Sequence, residues 1–333
     1  MKLPSPRGSV SAALIDTLAG RRTTLPHTPV PDDDEDLHLA LFVCYELAYR
    51  GWDGVDDRWE WDPGLLRARR ALEDHFETAL HALAGPPEPV DASAVPHRLI
   101  ELATADDGPS LSGYLRGRAT HEQFREFVTH RSVYHLREAD PHTFTIPRLA
   151  GRAKAALIEI QFDEYGGGAL PKMHQEMFKR TMRWFGLDLT YGAYVDDVGA
   201  ATLATNNVMS LFALHRRNRA ALLGHLAAYE MTSSIPNRAY ANGLRRLGGD
   251  ASATAFYDEH VEADAVHEQI AAHDMCGSFA AAEPELAGDL LYGARCALAL
   301  DARWAGAVLA AWEADRSSLR DGASLGSPRA GVA

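Results

Sequence analysis

Apolar residues recur every three to four positions over long stretches of this chain, separated by short breaks rich in Pro, Gly, Asp and Ser. That period lines apolar side chains along one face of a helix. Leu37, Leu41, Cys44 and Ala48 form one such stripe. Asp32, Asp33, Asp34 and Glu35 precede it, placing negative charge where a helix N-terminus favours it, and Gly51 closes it. A second run spans about 63–85 and is stopped by Pro86 and Pro87. Thr120 and Gln123 have capping-box spacing, and Phe124, Phe127, Val128 and Val133 continue a stripe to about Glu138, ahead of Pro141. Further helical runs are predicted over 148–186, 198–214, 216–231, 237–247, 252–274 and 284–314. Alternating β-branched runs bounded by hairpin turns are absent, as are internal repeats, so the expected fold is all-α.

The first 33 residues hold Pro4, Pro6, Pro26, Pro29 and Pro31 and few periodic apolar positions. They are expected to be a flexible arm, followed by an N-terminal helical region over 34–119, a main helical domain over 120–316, and a flexible tail rich in Ser, Gly and Ala over 317–333. Composition narrows the function classes. With 33 Lys and Arg against 46 Asp and Glu, the formal charge is −13, which offers no global source of phosphate neutralisation and excludes nucleic acid as an expected partner. Every apolar stretch is broken before the ~20 residues a bilayer span needs, and the N-terminus lacks the compact apolar segment of a secretory signal. Cys44, Cys276 and Cys296 are far apart and odd in number, which suits reduced thiols. The expected location is cytoplasmic.

Candidate chemistry begins with His260, Asp264 and His267, spaced i, i+4 and i+7. At ~100° per residue these side chains fall within ~60° of one another, so two imidazoles and a carboxylate share a helical face. Mixed nitrogen and oxygen donors suit iron, manganese or zinc. The competing reading is a solvated helix in a chain that has 15 His and 46 acids. A second signal is Glu164, on the run with Ile158, Ile160 and Phe162, followed by Gly166, Gly167, Gly168 and then His174. A carboxylate among apolar residues needs a partner. Ten residues of regular helix would hold Glu164 and His174 ~15 Å apart, so they can meet only if the glycines break the helix. Otherwise His174 simply starts a new helix at the surface. Glu138 and Glu230 each close a helical run and, taken singly, read as solvated helix-terminal acids.

Taken together, Glu138, Glu164 within Asp163-Glu164-Tyr165-Gly166, His174, and the spaced His260, Asp264 and His267 resemble the ligand series of the heme-oxygenase-like diiron oxidases and oxygenases. The resemblance covers about 120–315. It implies a heme-oxygenase-like helical bundle with an N-terminal helical extension, and two Fe(2+) per chain held by all six residues. It further implies dioxygen as co-substrate, an external electron donor as a reductant partner, and a homodimer. Glu230, in Tyr229-Glu230-Met231-Thr232, resembles the further carboxylate of the family's nitrogen-oxygenating members, which oxidative decarboxylases and fragmenting oxidases generally lack. On that resemblance the expected activity is oxidation of an amine nitrogen of a small natural-product metabolite to the hydroxylamine, nitroso or nitro level. The alternatives are oxidative C–C cleavage or decarboxylation of an amino or fatty acid, and a non-catalytic helical binding protein. The paired Glu-x-x-His motifs of ferritin-type proteins are absent. His130, His135 and His273 are expected at the surface or beside the ligands, with Asp163, Glu262 or Tyr165 orienting ligand imidazoles.

Overall fold

The computed structural model describes residues 1–105, 108–323 and 325, with the side chains of 262–266 left outside the described residues. Among the described residues there are helices and no strands, as the periodicity predicts. In chain order the helices are α1 (Ser9–Leu18), α2 (Asp34–Glu46), α3 (Pro63–Ala84), α4 (Val95–Thr104), α5 (Leu111–Gly117), α6 (His121–His135), α7 (Asp140–Thr143) and α8 (Gly151–Glu164). They continue with α9 (His174–Trp184), α10 (Ala200–Leu214), α11 (Arg219–Thr232), α12 (Ser234–Arg246), α13 (Ala251–Gln269), α14 (Ser278–Ala282) and α15 (Ala287–Glu313). Start signals in the sequence work as anticipated. Asp62 accepts a hydrogen bond from the Leu65 amide (2.8 Å) with Pro63 in the first turn of α3, and Thr120 and Gln123 exchange the two bonds of a capping box at α6 (3.2 and 3.0 Å).

Contacts hold residues 9–18 of the expected arm, and the described start of the expected tail, against the bundle. Residues Ser9–Leu18 form α1, and Val10, Leu14, Ile15 and Leu18 are buried against α2. The physical reason is a cap supplied from outside the helix. The buried carboxylate of Asp36 accepts the Val10 and Ser11 amides at 3.0 and 2.8 Å, satisfying first-turn donors that the local sequence cannot. At the other end, Glu126 of α6 accepts hydrogen bonds from Trp312 Nε1 (2.8 Å), Ser317 Oγ (2.7 Å) and the Ser318 amide (2.8 Å), which ties the start of the tail to the bundle. Residues 326–333 lie outside the described residues.

The core falls into three apolar clusters threaded by α15, which contributes Tyr292, Cys296 and Leu300 to one, Leu290 and Ala294 to the second, and Trp304, Val308 and Trp312 to the third. α11 packs closely along α15. A Cβ at Gly224 would collide with the Leu290 carbonyl, and one at Gly293 with the Ala221 carbonyl, so the two glycines let the backbones touch. After Gln269 the helix does not run on regularly: Ile270–Gly277 adopts π-helical geometry, where the periodicity predicts regular helix to 274. No helix among the described residues is long and apolar enough to cross a membrane.

Candidate metal centre

The centre is built from five segments. Glu138 sits three residues past α6, where the chain is anchored by its neighbour: Arg137, buried, lies 3.5 Å from Glu46 of α2 and stacks 4.5 Å over the Tyr49 ring. Glu164 ends α8 and His174 begins α9. The run predicted as continuous over 148–186 is therefore broken, at the place where a meeting of these two residues requires it. Gly166, Gly167 and Gly168 all adopt left-handed backbone (φ 62°, 61° and 80°), and a side chain at Gly166 would strike the backbone of Lys172 and Met173. The chain thereby turns back and brings His174 Nδ1 to 3.0 Å from Glu164 Oε2.

Two groups of ligand-type atoms result, the atoms in each lying within 4.8 Å of one another: Glu138, Glu164, His174 and His260 in the first, and Glu164, Glu230 and His267 in the second. Glu164, His174, Glu230, His260 and His267 are buried, and the Glu138 side chain is 11% exposed. The solvated readings of Glu138, Glu230 and the His-rich helix are thus overturned: burial of this many charged and imidazole groups is costly unless they are paired or coordinate a cation. Glu164 belongs to both groups, so its carboxylate links two sets of residues that could each hold a cation. Asp264 and Glu262 lie outside the described residues.

Each imidazole has a defined environment. His260 Nδ1 must donate to the Phe256 carbonyl (2.7 Å), since a carbonyl only accepts, and this leaves the Nε2 lone pair facing Glu138 at 3.9 Å. Burial, reinforced by His174, lowers its pKa to about 4, so it is a neutral donor. Burial also works against charge on His174, but Glu164, with Glu138 and Glu230, holds its pKa up to about 10. His267 Nδ1 lies 3.2 Å from Glu230, and Asp163 contacts its Nε2 at 3.0 Å; against burial, these carboxylates raise it to about 9. Asp163 therefore orients a candidate ligand imidazole, as anticipated. Tyr165 does not: its hydroxyl donates to Asp140 (2.9 Å). Burial raises Glu230, with the Glu164 charge adding to it. Glu138 is held down to about 2 although burial opposes this, chiefly by His135, whose Nδ1 lies 2.8 Å away.

Three features fit a bound cation. Glu138 Oε2, Glu164 Oε2 and His174 Nδ1 are fully buried and make no hydrogen bond, although the latter two are adjacent. The donor set is imidazole and carboxylate, which suits iron. The three cysteines are buried elsewhere, and burial raises their thiols well above the usual range, so thiolate does not compete. Of the other histidines, His135 stands beside Glu138, His273 is exposed, and His130 is buried between Thr202 and Ser318.

A cavity of about 370 Å³ adjoins the centre, its wall including Glu138, Glu164, Glu230 and His260. Sequence reasoning missed the rest of that wall, notably Arg131, Tyr229, Tyr240 and Asp301, because residues from α6, α11, α12 and α15 converge there only through packing. The size is that of a pocket for a small metabolite.

Known proteins resemble the part of the chain that carries this centre. A stretch of 138 residues, 41% of this chain, is 27% identical to a nitrosourea synthase from Streptomyces achromogenes subsp. streptozoticus, and covers 29% of that protein's length. A family model described as iron-containing redox enzyme matches residues 125–302, a span holding all of the candidate ligands. Because that match takes in more than half of the sequence, the chain belongs to the iron-containing redox enzyme family, and its helical bundle is the heme-oxygenase-like fold expected of it.

Proposed function

We propose that this oxidoreductase is a non-haem diiron N-oxygenase that uses dioxygen to oxidise an amine nitrogen of a small metabolite. The observation that carries the reading is Glu230: a buried carboxylate that closes the second ligand group and also lines the cavity. The likeness to a nitrosourea synthase supports it.

In this reading Glu138, His174 and His260 would hold one iron and Glu230 and His267 the other, with Glu164 serving both. Ferrous iron bound there would supply electrons to dioxygen, with an external donor returning them. The protein's own contributions are positional. Phe256 fixes the tautomer of His260, and Asp163 holds the ring of His267. The cavity would seat a substrate with its nitrogen beside Glu164 and Glu230, which line its wall. For an amine the balance is R–NH2, O2, two electrons and two protons giving R–NHOH and water: an N–O bond forms, the O–O bond breaks, and repetition carries the nitrogen to the nitroso or nitro level. The nitrogen reacts through its lone pair, so it must enter the cavity unprotonated.

The test is mass analysis of products after supplying Fe(II), reductant, labelled dioxygen and a panel of small amines. Labelled oxygen retained on nitrogen, with Glu230→Ala lowering that product while leaving the first iron bound, is expected. Products that have lost carbon instead would replace this reading with oxidative C–C cleavage, and no transient absorption after oxygen addition would indicate a binding protein.

A further inference from the structure

The cavity has a second polar end that the metal centre does not use. There Arg131 of α6 and Asp301 of α15 form an ion pair, Nη2 to Oδ1, at 2.8 Å. Once the candidate ligands are set aside, they are the one cation and the one carboxylate among the described residues lining the cavity. The two are not equivalent. The Arg131 guanidinium lies 4.0 Å over the Trp304 indole, and Tyr229 and Tyr240 line the cavity with it. Burial opposes its charge, but Asp301 and these phenols hold it protonated. It is a plate held in place by Asp301 on one side and the Trp304 ring on the other. Asp301 commits only Oδ1 to Arg131; its Oδ2 accepts no hydrogen bond from a described residue, and its side chain is 35% exposed. A carboxylate with one oxygen pinned and the other open is pre-oriented to accept from a ligand. The rings of Tyr134, Tyr229 and Tyr240 line the same space and favour a cation over an anion.

We propose that Asp301, pinned by Arg131, is a specificity-determining residue that binds a cationic group of the substrate, so that the substrates are small molecules with two nitrogen centres, one held at Asp301 and the other presented to Glu164 and Glu230. This rests on the N-oxygenase reading for the identity of the second nitrogen, but not for the binding itself. Close approach of α11 to α15 at Gly224 and Gly293 makes the arrangement possible, since it brings the helix of Glu230 against the helix of Asp301.

The experiment is calorimetric binding of three probes of matched length to the Fe(II)-loaded protein without oxygen: 1,5-diaminopentane, 1-aminopentane and 5-aminopentanoate. A charge-assisted hydrogen bond predicts that the diamine binds about tenfold more tightly than the monoamine, and that 5-aminopentanoate binds no better than the monoamine. Asp301→Asn should lower the diamine's affinity about tenfold. Equal affinity of diamine and monoamine for the unaltered protein overturns the proposal without reference to any variant. Preference for 5-aminopentanoate overturns it in favour of Arg131 as an anion anchor. Aerobic product analysis separates the two readings. Diamine selectivity that depends on Asp301 without oxygen on nitrogen leaves the anchor standing and removes the N-oxygenase reading. Nitrogen oxidation of monoamine and diamine alike, undiminished in Asp301→Asn, does the reverse.

Discussion

Replacing Gly293 with Ala tests whether the α11–α15 contact sets the geometry of the centre. An added Cβ would meet the Ala221 carbonyl, a backbone group that cannot rotate aside, so the helices must move apart. Overpacking of this kind costs about 1–3 kcal/mol, and the rigidity of the obstacle favours the upper end. Ala returns up to about 1 kcal/mol of helix propensity, leaving a net loss of about 2 kcal/mol. Gly306 provides the control on the same helix: its Cβ would find only Pro109 Cγ at 3.6 Å, an ordinary contact, so Gly306→Ala should be neutral or stabilising by up to about 1 kcal/mol. The functional consequence follows from distance along the helix. Glu230 lies six residues from Gly224 on α11, about 9 Å. A separation on the order of 1 Å carried to that point is large beside metal–ligand bonds of ~2 Å. Urea unfolding should show the two variants moving in opposite directions, and anaerobic Fe(II) titration should show weakened binding at the Glu230 side in Gly293→Ala alone. Equal stability of both variants, with iron binding intact, would refute the reasoning.

pH should act on the centre through its raised imidazoles. His174 and His267 have metal-free pKa values of about 10 and about 9, above the ordinary ~6.5, so the stabilisation they give is complete below that value and is lost as pH rises through 9 to 10. The urea midpoint of metal-free protein should therefore fall across this window, whereas Fe(II) affinity, which requires both rings deprotonated, should rise with pH in anaerobic chelator competition. Glu126 behaves oppositely. Burial would raise its carboxyl, but Ser318, Trp312 and Ser317 hold it below the usual range, so the stability it confers is present above ~4.5 and lost as pH falls through the folded value. Glu126→Ala should release residues 317–320 to proteolysis at pH 7 without changing iron stoichiometry, as read by mass mapping of the nicked chain.

Helix positions and the main candidate ligands were legible because they leave periodic or fixed-spacing signals. The i, i+7 placement of His260 and His267 survives in α13, and the glycine triplet announced the break that joins Glu164 to His174. What was not legible depends on contacts between distant segments. Nothing near Ser9–Leu18 reveals that Asp36 will cap it, and the prolines around it argued for an arm. The π-helical stretch after Gln269, Ile-Ala-Ala-His-Asp-Met-Cys-Gly, has the mixed apolar composition of an ordinary helix, so its periodicity carries no sign of the change. Arg131 and Asp301 sit 170 positions apart and become a site only when α6 and α15 line one cavity.

The central claim is that one shared carboxylate joins two metal positions, and anaerobic Fe(II) titration of the unaltered chain beside Glu164→Ala tests it most directly. Glu164 is common to both ligand groups, whereas Glu138 and Glu230 each serve one. The expected result is two Fe(II) per chain in the unaltered protein, one position weakened in Glu230→Ala, and both weakened in Glu164→Ala. Saturation of the unaltered chain at a single iron, or two irons bound with unchanged affinity in Glu164→Ala, would contradict the account.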